Sequence, residues 1–165
     1  MIIETIKGDL LQLFKEGKFS AIAHGANCFH LMGAGIARQI AEQFPEVLEA
    51  DIRFEKQGDW KKLGAFSHES TEYGNIYNLY TQFLPGSNFE YSALIYALSE
   101  LEFMIELSTG LNNFVLGVPL IGCGIGGGNE EIVKEILDFS SLNIILVEYD
   151  NGKTNMGQTE IDFTS

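Results

Sequence analysis

The chain has 165 residues, 45% of them hydrophobic and 12% aromatic, a size that fits one domain with a sizeable core. Its net charge of −13 sets it against the phosphate backbone of nucleic acids and against anionic membrane surfaces, so neither is expected as a partner. A small anionic ligand stays open, because backbone N–H groups bind anions without any net positive charge.

In chain order, "MIIETI" reads as a short strand and "GDLLQLFKEG" as a short helix ending at Gly17. "FSAIAHGAN" is an apolar strand running into a loop at Gly25. "GIARQIAEQF" carries Ile36, Ala37, Ile40, Ala41 and Phe44, the stripe of an amphipathic helix. Pro45 restarts the chain, and "EVLEADIRFEKQ" predicts a second helix ending near Gly58. "LGAFSHES" and "GNIYNLYTQF" are two strands around a turn at Gly74, followed by a loop, "LPGSN". "FEYSALIYALSELEFMIEL" is the longest helix, with Leu94, Leu98, Leu101 and Ile105 on one side. "NNFVLGVPLIG" is a buried strand feeding the run "GCGIGGG". "NEEIVKEILDF" is a helix with Asn129 as N-cap and two acids in its first turn, and "LNIILVEYD" is a last apolar strand. From Asn151 the tail is polar and lacks periodicity, so the expected division is a domain over 1–150 and a tail over 151–165.

Strands alternating with helices indicate an α/β domain around a mostly parallel sheet, and ligands of such folds bind beyond the carboxyl ends of the strands. Both glycine clusters fall there, Gly33–Ala34–Gly35 before one helix and Gly122 to Gly128 before another. Five glycines in the latter seven positions cost backbone entropy, which a wide ligand cleft would justify. Neither cluster completes the dinucleotide pattern or carries a Walker lysine. Cys28 and Cys123 are far apart and lack metal-ligand spacing, so no metal or other cofactor is expected. No signal-peptide pattern and no membrane-spanning run is seen, and the cytoplasm, with reduced thiols, is the expected compartment.

Three ordered motifs, "KGDLL", "AHGANCFHLMGAGIARQIAEQFP" and "VPLIGCGIGGGNEEIV", resemble the macrodomain family over roughly residues 1–150. The resemblance implies a three-layer α/β/α fold with a mixed, mostly parallel sheet, and binding of ADP-ribose. The "HGANC…MGAGIA" form is similar to the branch of ADP-ribose 1''-phosphate phosphatases and of ADP-ribosyl-glutamate and ADP-ribosyl-DNA glycohydrolases. By the same resemblance Asp9 meets the adenine amino group, beside the backbone of Leu10 and near Tyr149. Gly33, Ala34, Gly35 and Ile36 form the first diphosphate loop. Gly122, Cys123, Gly124, Ile125 and Gly126 form the second, and Asn27 approaches the distal ribose.

Each position also has a plainer reading. Asp9 can cap the helix that begins at Leu10, Asn27 can be a turn residue, Tyr149 can pack at a strand end, and Cys123 is a packing residue with no base beside it. His24 resembles the histidine of the phosphatase members, where it would act as general acid or base or attack phosphorus, with Asn27 at the reacting end. Its alternative is a buried structural histidine; His30 could be a lid residue, and His68 is structural or solvent-facing. Gln82 stands where the glycohydrolases carry a lysine, and Asn129 where they carry an acid. The leading expectation is therefore a phosphatase acting on ADP-ribose 1''-phosphate. A non-catalytic module holding ADP-ribose, free or on a protein, comes next, and a glycohydrolase last.

Overall fold

The protein is described by a computed structural model that covers residues 1–149; the polar tail from Asn151 lies outside the described residues. Six strands form one sheet: β1 (Ile2–Gly8), β2 (Ala21–Asn27), β3 (Phe66–Thr71), β4 (Gly74–Gln82), β5 (Val115–Val118) and β6 (Asn143–Tyr149). Their order is β1-β6-β5-β2-β4-β3. All neighbours are parallel except β3 against β4, which are joined by the tight turn before Gly74. The sheet is thus mixed and mostly parallel.

The sheet is covered on both faces, which explains why β2, β4 and β6 are nearly continuous apolar runs. One face packs α1 (Leu10–Lys15), α2 (Gly35–Gln43) and α3 (Pro45–Phe54) through Leu11, Phe14, Ile40 and Val47. The other packs α4 (Tyr91–Ser108) and α5 (Glu130–Phe139) through Leu94, Leu101, Val133 and Leu137. This is a three-layer α/β/α domain.

Several elements differ from the sequence reading: β2 runs through Gly25 to Asn27, and α3 ends at Phe54, short of Gly58. The strand expected over "NNFVLGVPLIG" is only four residues long, because Pro119 lacks an N–H for the ladder and ends it. A 3₁₀ turn at Trp60–Lys62, capped by Asp59, was not foreseen. The short β5 has a structural consequence. It pairs with β2 only at Ala21–Leu116 and Ile22–Gly117, while β2 continues to Asn27. Beyond that point the two strands part, and a crevice opens at the carboxyl edge of the sheet.

Candidate functional site

Two adjoining cavities occupy this edge. The first, about 210 Å³, lies beyond the ends of β1, β6 and β5 and is bordered by Asp9, Leu10, Ile36, Cys123, Gly124 and Tyr149. The second, about 250 Å³, lies beyond β2 and β4 and is bordered by Asn27, Gly33, Ala34, Gln82, Ile125 and Gly126. The start of α2 and the second glycine loop each give residues to both cavities, so the two loops face each other across the crevice.

The loops differ in how they reach this position. At the start of α2, Ala34 occupies the N-cap with extended backbone and no side-chain cap, and no acid lies in the first turn. By contrast α1 and α5 are capped by side chains: Asp9 Oδ1 accepts from Gln12 N at 3.1 Å, and Asn129 Oδ1 accepts from Ile132 N at 3.1 Å. An uncapped N-terminus carries free N–H groups and partial positive charge, and here it opens on the crevice. Gly33 has no atom within 4 Å of where a Cβ would stand, so packing alone does not require a glycine there.

The second loop is held from below by the segment after β4. Phe89 N donates to Gly126 O at 3.2 Å, and its ring fills the space that a Cβ on Gly122 or Gly128 would need. Tyr91 Oη accepts from Asn129 N at 3.0 Å. Within the loop, Gly128 N donates to Gly122 O at 2.7 Å and Gly127 N to Gly124 O at 3.2 Å. The N–H groups of Gly124, Ile125 and Gly126 meet no acceptor among the described residues.

Three of the expected site residues border neither cavity. Gly35 is the first residue of α2, between two that do. Gly122 sits behind the loop on Phe89 and takes φ +76°, a conformation that favours glycine. His24 is a correction. It is wholly buried in mid-strand, because period-two alternation puts it with Ile22 on the face beneath α3. Its Nε2 lies 2.6 Å from Asn78 Oδ1, and the Asn78 amide nitrogen donates to Ser67 Oγ at 3.1 Å. Nε2 therefore carries the hydrogen, and Nδ1 is left bare without a partner. Burial pushes the imidazole below its usual value, which favours the neutral ring, and the side chain borders neither cavity. The acid–base role expected of His24 does not fit this placement.

The same buried chain continues from Ser67 to Tyr80, with 2.6 Å between the hydroxyls, and from Tyr80 to Asp51 at 2.6 Å. Asp51 then pairs with Lys62 at 2.9 Å, both ends buried. This polar ladder ties α3, β3, β4 and the 3₁₀ turn together.

Other expected residues serve more than one purpose. Asn27 Oδ1 accepts from Phe29 N at 2.9 Å, and Nδ2 donates to Leu31 O at 2.8 Å, so it shapes the loop with one amide hydrogen to spare. Cys123 is held protonated, its thiol pushed up to about 11 by burial and then by Glu130. His30 takes φ 61° and faces Glu55 O at 3.0 Å, away from both cavities. The sequence reading missed Gln39 and Glu148 around the first cavity and Pro85 and Gly86 around the second, and it assigned Glu130, which also borders the first cavity, to the first turn of α5. The signal for the latter pair was "LPGSN", a Pro-Gly loop directly after a strand's carboxyl end.

Solved structures share this arrangement. A protein from Bacteroides thetaiotaomicron matches with TM-score 0.72 at 23% identity, covering 88% of this chain and 99% of its own. The macrodomain of Mycobacterium tuberculosis DarG matches with TM-score 0.68 at 22% identity, covering 87% and 97%. Thermosipho africanus DarTG, solved with ADP-ribose, matches with TM-score 0.70 at 17% identity, covering 93% of this chain and 43% of that one. The fold is that of a macrodomain. No family model matches the chain. The uncharacterized 17.5 kDa protein from the tk-vs intergenic region of Enterobacteria phage T4 is 46% identical over 159 residues, 91% of this chain and 98% of the phage protein. The chain belongs to one macrodomain-fold family with that phage protein.

Proposed function

We propose that the crevice binds ADP-ribose. The observation that carries this reading is the uncapped start of α2 facing the second glycine loop between two cavities. Amide hydrogens of Gly33 to Ile36 and of Gly124 to Gly126 hold the diphosphate. They supply the positive field that a chain of net charge −13 lacks in its side chains. The cavity beside Asp9 takes the adenine; Asp9 caps α1 with one carboxylate oxygen and keeps the other for the amino group. Tyr149, half exposed at the end of β6, flanks the ring. The cavity beside Asn27 takes the distal ribose. The fold neighbours support the reading: Thermosipho DarTG was solved with ADP-ribose, and so was a variant of the Oceanobacillus iheyensis macrodomain.

The 1''-phosphate form of the ligand is a candidate for the same site, its extra phosphate lying with the distal ribose in the second cavity, which Leu31 and Gly86 also border. Hydrolysis of that phosphate is the second reading. It ranks below binding because a leaving ribose oxygen needs a proton, and the polar side chains around the second cavity are the neutral amides of Asn27 and Gln82. Glycohydrolysis ranks last. Gln82 spends its amide hydrogens on Leu84 O and Gly86 O, both at 2.8 Å, and cannot act as a lysine would. An ADP-ribose attached to a protein is a further ligand of the same site.

The test is a calorimetric titration with ADP-ribose beside a phosphate-release assay on ADP-ribose 1''-phosphate. One-to-one binding without released phosphate supports a binding module. Catalytic turnover of phosphate promotes the phosphatase. Absence of both overturns the assignment.

A further inference from the structure

The opposite edge of the domain carries an apolar groove that the crevice does not explain. It runs between α4 and α5, encloses about 480 Å³, and is bordered by Ile95, Leu98, Ile132, Ile136 and Phe139. Phe139 is 93% exposed. The neighbouring stripe of α4 adds Tyr96, Phe103 and Leu107, each more than 60% exposed. Leu98 and Ile136 form the floor of the groove against the core, while Ile95, Ile132, Phe139, Tyr96, Phe103 and Leu107 stay exposed; α4 buries its other side through Leu94, Leu98, Leu101 and Ile105. A helix that is apolar on its inner side and again on its outer side is a helix with a second surface to cover.

The side-chain charges on the helices around this groove are mostly acidic. At its Ser140 end Glu102 accepts from Ser140 Oγ and Ser141 N, and the Met1 ammonium lies near Glu102 and Asp138, so the uncommitted rim is that of Glu135 and its neighbours. Glu102 and Glu135 border it directly. Glu106 follows Glu102 at i+4 on α4, and Glu131 and Asp138 stand four before and three after Glu135 on α5. Among the residues of α4 and α5 the one base is Lys134, and it turns to Glu148 of β6 at 3.7 Å.

We propose that this groove is a docking site for a basic amphipathic helix of a partner protein. Apolar side chains at i, i+3, i+4 and i+7 of such a helix lie between α4 and α5, and its lysines or arginines meet the acidic rim. A second copy of this chain is disfavoured, because an isologous contact brings the same acids together on two bodies of −13. An anionic lipid surface is disfavoured for the same reason. Phe139 and Ser140 precede β6, so the groove lies at the amino edge of that strand while the crevice lies at the carboxyl edge. A partner and a ligand can therefore be held at once.

The probe is a synthetic 18-residue peptide of leucine and lysine in amphipathic helical order, titrated against the full chain by fluorescence anisotropy. A peptide of the same composition in scrambled order, and one with glutamate for lysine, are the controls. The ordered basic peptide is expected to bind saturably and at least tenfold more tightly than either control. Its affinity should fall at least tenfold with Phe139→Ser plus Ile132→Ser, and at least tenfold with Glu135→Lys. Both changes fall on exposed side chains, and the circular dichroism of each variant should match the parent. Equal binding of the scrambled peptide, or unchanged binding by both variants, overturns the proposal. So does a dimer in sedimentation, or capture by phosphatidylserine vesicles, that Phe139→Ser abolishes.

Discussion

Gly33→Val separates a ligand contact from a packing contact. A Cβ at Gly33 meets no atom within 4 Å, and Gly33 is not among the positions of positive φ. The fold should tolerate the change, with stability within about 1 kcal/mol of the parent, since replacing glycine at a compatible backbone position mainly restricts the unfolded chain. The new side chain projects into the second cavity, which Gly33 borders. There it displaces a phosphate from the start of α2. Losing two hydrogen bonds to a charged group, each about 1.5–3 kcal/mol, removes about 3–6 kcal/mol of binding. At about 1.4 kcal/mol per tenfold, ADP-ribose affinity should drop at least ~100-fold. Calorimetry gives the affinity and urea unfolding the stability. A Gly33→Val protein that binds ADP-ribose as the parent does, at unchanged stability, would refute the placement of the diphosphate at this loop.

Gly122→Ala should behave in the opposite way. The added Cβ enters the Phe89 ring at φ +76°, so a cost of about 2–5 kcal/mol and a clearly lower Tm are expected in a thermal melt. Lys62→Met leaves the Asp51 carboxylate buried without its cation, and should cost about 3–5 kcal/mol in urea unfolding. His24 gives a pH signature. Its folded value is depressed below the unfolded ~6.5, so the unfolded state binds more protons. The stability held by the neutral ring is complete above that pH and is lost as pH falls below it, with a slope of at most about 1.36 kcal/mol per pH unit. The stability difference between the parent and His24→Gln should therefore narrow from pH 7.5 to 5.5; a constant difference contradicts the burial argument.

Much of the architecture was legible because the elements are locally consistent. β2, β4 and β6 are apolar runs between turn signals, α5 announces itself by Asn129 and two acids, and Gly74 marks the one antiparallel turn. The crevice was legible for a related reason. Its two glycine clusters interrupt strand-to-helix connections, and the fold rule sends those connections to one edge. What could not be read was lateral. Asp51, Lys62, Tyr80, Ser67, Asn78 and His24 come from five separate segments, and only the tertiary fold, with its sheet register, brings them into one buried chain. His24 was read by its nearness to Asn27 in sequence. Three residues along a strand are about 10 Å and one change of face, which is enough to take it out of the crevice. The exposed side of α4 was also hidden, since an apolar residue on a long helix reads as core until a neighbour fails to cover it.

The central claim concerns amide hydrogens, so the direct measurement is an amide nitrogen–proton correlation spectrum recorded during titration with ADP-ribose. The amides of Gly33 to Ile36 and of Gly124 to Gly126 should shift together and saturate at one equivalent, and ADP should move the same set. Shifts confined to other parts of the chain, with both loops silent, would contradict the account.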